Sequence, residues 1–183
     1  VPEPEDKRTL VVITAGGNDM MAAVDLLLGG ATQEEVLAAV EQYADRMDEA
    51  IRWFRDNEAA WFLGGVSIIF GNVYEYTDAT GDLTACELAD DFGDAELGAN
   101  ASALREGYLR INERFMQTAT DTRTDMIFML EHFCGHGFNA NDPDNECYRG
   151  PEEAEVWFDL TCIHPNPTGH QKIAEMFFDV VME

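Results

Sequence analysis

The sequence predicts an α/β protein, a three-layer α/β/α sandwich built around a parallel sheet, and three observations support this class. Short apolar runs rich in β-branched residues are typical of strands that are buried on both faces. Longer segments, in which apolar residues recur at spacings of three and four, are typical of amphipathic helices. Strands and helices alternate along the chain, which favours parallel pairing through right-handed crossovers.

Three strands are predicted. Residues 10–14 (LVVIT) form a wholly apolar run that ends at Gly16-Gly17, and residues 65–70 (GVSIIF) form a second run followed by turn-forming residues. Residues 125–130 (DMIFML) form the third. Three strands are few for such a sheet, and the strand and helix that would normally precede LVVIT are missing from this chain.

Four helices are predicted between and after these strands. The segment 22–28 follows the first strand, and the segment 33–57 is a long amphipathic helix with a capping box at Thr32-Gln33-Glu34-Glu35. A further helix carries Leu104, Tyr108, Ile111 and Phe115, and the last begins at about residue 168. We therefore expect a flexible lead-in over residues 1–9 and a single domain over residues 10–183.

The charge of the chain excludes some classes of function. The 183 residues include 36 Asp and Glu against 11 Lys and Arg, giving a formal net charge of -25. A nucleic acid would meet a surface of its own sign, so no nucleic-acid partner is expected. No apolar run approaches the roughly 20 residues of a membrane span, so no transmembrane segment is expected. The acidity itself is explained by solubility, including solubility in salt.

The four cysteines are predicted to form two disulfides. Cys134 and Cys147 flank a polar loop, which suits a local pair, and Cys86 would then pair with Cys162. Three connectivities are formally possible, and four buried thiols are the alternative. Disulfides would place the protein in an oxidising compartment, secreted or periplasmic.

Two segments carry residue types suited to catalysis. Gly16-Gly17-Asn18-Asp19 follows the first strand, where parallel sheets bind ligands. The alternative for this segment is a glycine turn in which Asn18 or Asp19 caps the next helix. The second segment runs from Asp159 to His170, and its His164 is restricted by the proline that follows. The alternative for His164 is an ordinary loop histidine.

Together these segments resemble the SGNH hydrolases, also called the GDSL lipase and esterase family. Gly16-x-Asn18-Asp19 is similar to the block whose Asn donates to the oxyanion, and His164-Pro165-Asn166 with Gly169-His170 is similar to the block that supplies the base. The segments Asn72-Val73-Tyr74-Glu75 and Phe133-Cys134-Gly135-His136-Gly137 also look like those of secreted bacterial members. The resemblance implies a flavodoxin-like fold and an ester hydrolase with no cofactor or metal.

The sequence departs from the family pattern at two catalytic positions. The family nucleophile lies in a Gly-Asp-Ser segment upstream of the Asn block, but the only serines here are Ser67, in an apolar strand, and Ser102, at a helix start. The family acid stands three residues before the base, where this chain has Thr161. Asp159 is a candidate acid if the loop curls, and a backbone carbonyl is the alternative partner for the imidazole.

Other candidates are weaker. His132, His136 and His170 are interpreted as structural, with His170 packing or capping the last helix. The acidic run 142–146 lacks EF-hand spacing and is expected to be a solvated loop. Several aromatic side chains are either core residues or substrate contacts: Trp61, Phe62, Tyr74, Tyr76 and Trp157.

The leading hypothesis is the C-terminal part of a secreted serine ester hydrolase that acts on a small-molecule ester. Asn18 and His164 would be supplied by this chain, and the serine by a companion N-terminal polypeptide. This hypothesis predicts an exposed apolar sheet edge that the companion covers. The alternative is an inactive module that binds an acyl or carbohydrate ligand.

Overall fold

The computed structural model describes residues 6–88 and 99–183. Its sheet has three parallel strands in the order β1 (Thr9–Thr14), β2 (Val66–Gly71) and β3 (Asp125–Ile127). Thr9 pairs with Val66 at one end of the register, and Thr14 pairs with Gly71 at the other. The predicted parallel α/β fold, with helices on both sides of the sheet, is confirmed.

Six helices accompany the sheet in the described part of the chain: α1 (Gly17–Leu28), α2 (Gln33–Asp56), α3 (Glu58–Trp61), α4 (Ala101–Thr122), α5 (Met129–Phe133) and α6 (Pro167–Met182). Helices α2 and α4 pack on each other and against the sheet, and α6 packs against β3. None of these helices is long and apolar enough to cross a bilayer.

Side chains alternate between the two faces of the sheet. Phe70 of β2 contacts Phe115 of α4, so this face of β2, together with Val11 and Ile13 of β1, meets the core under α2 and α4. On the opposite face Ile69 and Ile127 are buried. On that same face of β1, Leu10 and Val12 are 47% and 51% exposed. The second face of the sheet is therefore covered at β2 and β3 but open at β1.

Helix α2 begins where the sequence predicts. The Thr32 hydroxyl accepts from the Glu35 backbone N–H, and the Glu35 carboxylate accepts from the Thr32 backbone N–H. This reciprocal pair confirms the predicted capping box. The helix ends at Asp56, and Asn57 caps it, one residue earlier than expected.

The predicted strand over residues 125–130 is wrong in its second half. Strand β3 ends at Ile127, and the chain enters α5 at Met129. Met129 packs directly on Gly71, where an added Cβ would lie 2.6 Å from its methyl carbon. The Leu130 backbone N–H donates to Asn72 Oδ1 at 2.9 Å, which turns the chain away from the sheet. A short apolar run suits a strand or a buried helix equally, so only these contacts separate the two.

The two ends of the first segment also differ from expectation. Strand β1 begins at Thr9, inside the expected lead-in, and residues 1–5 of that lead-in lie outside the described residues. Helix α1 begins at Gly17 rather than residue 22 because Gly16, with a φ of 104°, turns the chain directly after the strand. Helix α6 begins at Pro167, with Asn166 as its N-cap.

Candidate active site

The carboxyl ends of β1 and β2 form the rim on which the candidate site is built. After β1, Gly16 adopts a left-handed conformation, and an added Cβ would lie 2.7 Å from Val73 Cγ2. Only glycine fits this close approach, since a side chain would be both strained and in collision. The turn places Asn18 in the first turn of α1, immediately beyond the strand.

The Asn18 side chain is exposed and makes no hydrogen bond to any residue that the structure describes. The alternative role in capping is wrong, because the N-cap is Gly16 and no side chain caps the helix. Asp19 faces Arg46 at 3.7 Å in an exposed ion pair. The amide of Asn18 is thus free to donate to a ligand at the rim.

The backbone of Val73, in the segment that follows β2, is hydrogen-bonded to the buried side-chain amide of Asn112 on α4. Its Oδ1 accepts from the Val73 N–H at 2.9 Å, and its Nδ2 donates to the Val73 carbonyl at 3.1 Å. Sequence reasoning missed this residue. Its signal was a polar side chain four positions after Tyr108, on the apolar face of the predicted helix.

The same segment also contacts the loop that carries His164. The Tyr74 hydroxyl donates to the Ile163 carbonyl at 3.4 Å, and its ring stacks on Phe133 with centroids 4.9 Å apart. Burial, with the nearby charge of Asp159, raises the pKa of Tyr74. Val73 therefore contacts the Asn18 turn and Tyr74 contacts the His164 loop, so one short segment connects the two predicted site residues.

The His164 loop is a tight reversal closed by several backbone bonds. Phe158 and Pro165 form an antiparallel bridge, the Asp159 N–H donates to the His164 carbonyl at 2.9 Å, and the Cys162 N–H donates to the Asp159 carbonyl at 3.1 Å. The disulfide Cys86–Cys162 links this loop to the connection between β2 and α4, which contains Cys86. The second disulfide, Cys134–Cys147, closes the polar loop. This is the pairing that the cysteine spacing favoured.

The side chains of Asp159 and His164 make no direct hydrogen bond; the hydroxyl of Thr161 lies between them. Thr161 Oγ1 is 2.6 Å from Asp159 Oδ1 and 2.7 Å from His164 Nδ1. The Thr161 N–H also donates to Asp159 Oδ1 at 2.8 Å. These hydrogen bonds from Thr161, and the nearby histidines His164 and His170, hold the pKa of Asp159 below its usual value. The residue that breaks the family pattern is thus the one that contacts the imidazole.

Neither serine occupies the rim. Ser67 is the second residue of β2 and stands four positions before Gly71, about 13 Å from the carboxyl end at about 3.3 Å per residue. Ser102 lies in the first turn of α4 and is exposed. His164 has only Thr161 as a side-chain hydrogen-bond partner in the described ranges.

Of the remaining histidines, only His136 is buried, and the predicted capping role of His170 is wrong. His136 is buried and stacks on Trp157 with centroids 3.5 Å apart, and burial lowers its pKa. His132 is exposed on α5. His170 is exposed in the first turn of α6 and does not cap it, because the Asn166 side chain accepts from the Gly169 N–H.

Of the aromatic candidates, Tyr76 and Trp157 belong to the core, and Trp61 is 45% exposed on the distant helix α3. Tyr74 is the aromatic residue that touches the His164 loop. Among residues 6–88 and 99–183, no cluster of His, Cys, Asp and Glu has the geometry of a metal site.

A cavity of about 370 Å³ lies between the segment after β2, the first turns of α4 and the Cys134–Cys147 loop. Glu75 and Asp78 line it, and burial raises the pKa of both carboxyl groups. Neither Asn18 nor His164 contributes to its wall. This cavity is therefore not the space between the two predicted site residues.

Comparison with known proteins agrees with the α/β fold. The sequence matches the family described as GDSL-like lipase/acylhydrolase over residues 3–177. The chain therefore belongs to the GDSL-like lipase/acylhydrolase family, a family of ester hydrolases.

A solved structure, phospholipase A1 from Streptomyces albidoflavus NA297, has a similar fold, with a TM-score of 0.53 at 16% sequence identity. The similarity covers 89% of this chain and 64% of the phospholipase chain. This chain thus spans less than two thirds of the protein that it resembles. No match was found among curated proteins.

Proposed function

We propose that this chain hydrolyses carboxylic esters as part of a serine hydrolase whose nucleophile lies on a companion N-terminal segment outside these 183 residues. His164 is the general base, Asn18 is an oxyanion donor, and Asp159 is the acidic member of the triad. Family membership supports the reaction class, and the arrangement of the rim and the His164 loop supports the three roles supplied by this chain.

The open side of β1 is the main observation that supports a companion segment. Within the described ranges β1 pairs only with β2, and Leu10 and Val12 lie exposed on its uncovered face. An unpaired strand edge with exposed apolar side chains is a surface that another strand and helix can cover. A parallel strand added beside β1 would end at the rim, because the carboxyl ends of parallel strands meet there. A serine after that strand would stand beside Asn18.

The chemistry then follows from ordinary acyl transfer. His164 Nε2 takes the proton from the serine hydroxyl while the serine oxygen bonds to the ester carbonyl carbon. The Asn18 amide donates to the oxyanion, a contact typically worth about 3 kcal/mol of barrier. The imidazolium returns the proton to the leaving alcohol. Water then attacks the acyl carbon while His164 takes its proton, and the imidazolium gives that proton to the serine oxygen as the acyl–serine bond breaks and the acid leaves.

The second candidate is a non-catalytic module that binds an acyl or carbohydrate ligand at the rim. The position of the two serines favours this alternative, since neither lies at the carboxyl end of the sheet. The two candidates differ in one respect that is directly measurable, the presence of a reactive serine.

The test is intact mass spectrometry of the native preparation, denatured without reduction, before and after a fluorophosphonate probe that reacts with activated serine. We expect an adduct on a second polypeptide, lost in His164→Ala and kept in the control His132→Ala, whose imidazole is exposed on α5. Adduct formation on no polypeptide, with this chain alone in the spectrum, would falsify the split hydrolase and favour the binding module.

We further propose a secreted or periplasmic location and a small-molecule ester substrate. The two disulfides support an oxidising compartment, where such bonds persist. Acyl and carbohydrate esters of different chain length, offered to the labelled preparation, would compete with the probe in order of their fit.

A further inference from the structure

The hydrogen bonds of the His164 loop have a direction that the chemistry of their members determines. An ionised carboxylate only accepts hydrogen bonds, whereas a hydroxyl has one hydrogen to donate and two lone pairs. Thr161 Oγ1, at 2.6 Å from Asp159 Oδ1, therefore donates its hydrogen to Asp159. What remains toward His164 Nδ1, at 2.7 Å, is a lone pair. Nδ1 must supply the hydrogen of that contact.

This direction also determines which imidazole nitrogen is free. A neutral imidazole carries one hydrogen, so protonation at Nδ1 leaves the lone pair at Nε2. Nε2 makes no hydrogen bond within the described part of the chain and is the atom available to a substrate or nucleophile. The carboxylate of Asp159 therefore determines the tautomer of His164, because it fixes the direction in which the Thr161 hydroxyl points its hydrogen.

We propose that Thr161 is a positioning residue that couples Asp159 to His164 and holds the imidazole with Nδ1 protonated and Nε2 free to act as the base. The carboxylate stands one hydroxyl further away than in an Asp-x-x-His arrangement. Thr161 replaces the direct contact and orients the ring without itself touching the reacting atoms.

The loop holds Thr161 in place by covalent and backbone restraints, because the three side chains are not deeply buried. The Thr161 N–H is bonded to Asp159, and the neighbouring Cys162 is tied to Cys86. Asp159 and His164 are joined through their own backbone at 2.9 Å. The β-branched side chain of threonine restricts χ1, which keeps the hydroxyl between its two partners. A serine would retain the hydroxyl with less restriction, and a valine would retain the shape without it.

The decisive measurement is the tautomer of His164 in the full chain. It is read from the chemical shifts of the two ring nitrogens in long-range proton–nitrogen spectra. The spectra are recorded on the alkaline plateau of the nitrogen shifts, where these shifts no longer change with pH. We expect protonated Nδ1 in the native chain and in Thr161→Ser. Thr161→Val should lose that preference. Thr168→Val is the matched control, since its hydroxyl contacts Glu155 and not the imidazole.

Asp159→Ala gives a prediction that a purely structural role would not. Without its acceptor, the Thr161 hydroxyl becomes free to donate to Nδ1, and the hydrogen should move to Nε2. A native chain with its hydrogen on Nε2 would overturn the proposal. An unchanged tautomer in Thr161→Val would also overturn it. Because the native chain and Thr161→Ser are informative by themselves, misfolding of Thr161→Val leaves the proposal falsifiable.

The catalytic consequence rests on the function proposed above, whereas the tautomer does not. In a preparation that reacts with fluorophosphonate, Thr161→Val should slow labelling between about 10-fold and 100-fold, and Thr161→Ser should restore most of the rate. Absence of labelling in every variant, with the expected tautomers, would reject the hydrolase and keep the positioning role. Equal labelling rates in the native chain and Thr161→Val would reject the positioning role in catalysis.

Discussion

Cys162, two residues before His164, is bonded to Cys86, which lies 76 residues earlier in the chain. Cys162 also adopts a φ of 67°, a left-handed conformation that non-glycine residues rarely take. The disulfide and the turn together define where the loop reverses. The position of the candidate base is therefore linked covalently to the segment that follows β2.

The two disulfides should stabilise the fold unequally. In the chain-entropy description, closing a loop of 76 residues contributes about 4 kcal/mol, and closing one of 13 residues contributes about 3 kcal/mol. Cys86→Ala with Cys162→Ala should therefore lower the free energy of unfolding more than Cys134→Ala with Cys147→Ala. Guanidinium denaturation of both double variants measures the order, and the reverse order would contradict it.

Replacing Asn112 should lower the free energy of unfolding, because its side chain supports the segment that follows β2. Asn112→Leu keeps a similar volume but leaves the Val73 N–H and carbonyl without their buried partner, which should cost about 3 kcal/mol. Gln117→Leu is the control, because this exposed amide on the same helix bonds only to Asp121, and a change within about 0.5 kcal/mol is expected. Urea denaturation measures the free energy of unfolding of both variants. Similar losses in the two would show that the hydrogen bonds of Asn112 to Val73 do not stabilise the fold.

Substitution by lysine should have very different effects on stability at two neighbouring residues of β1. Val12 lies on the open face, so Val12→Lys should change stability by less than about 0.5 kcal/mol, whereas Ile13 packs partly buried against the core and Ile13→Lys should cost about 2 kcal/mol. Thermal unfolding measures both. Val12→Lys should also release any companion polypeptide from β1. A companion that still copurifies with this variant would have to bind elsewhere.

Buried carboxyl groups should make stability fall as pH rises. Burial raises the pKa of Asp78, although its oxygens accept from the N–H groups of Gly135, Gly137 and Asn139. A raised folded-state pKa means that the folded chain binds the proton more tightly than the unfolded chain. The contribution is therefore fully present below the usual aspartate pKa of about 3.9 and is lost as pH rises through the raised value.

Urea midpoints of the native chain and Asp78→Asn, measured from about pH 4 to about pH 7, test this sign. The native chain should lose stability with pH more steeply than the variant, and the difference between the two slopes removes the general repulsion of the acidic surface. Asp144→Asn, at an exposed position, should keep the native slope. Parallel curves for the native chain and Asp78→Asn would contradict the raised pKa.

Much of the fold could be predicted from local pattern. The run LVVIT lies in β1, and the Thr32 capping box starts α2. The site residues Asn18 and His164 are a prediction from short motifs. The end of β3 could not be predicted, because Met129 and Leu130 are apolar and only their contacts with Gly71 and Asn72 turn the chain into α5. A run that suits two structures locally is decided by its neighbours in space.

Four features can be read from the residues alone: the α/β class, the family, the lack of a serine in the expected context and the spacing that favours the cysteine pairing. The residues also show Thr161 where an aspartate is usual, which suggested an interrupted triad. The folded chain was needed to show that the loop curls and brings the hydroxyl of Thr161 between the side chains of Asp159 and His164. Likewise only packing revealed Asn112 beneath Val73. Periodicity and motifs record local preferences, whereas the partner of a hydrogen bond depends on where distant segments meet.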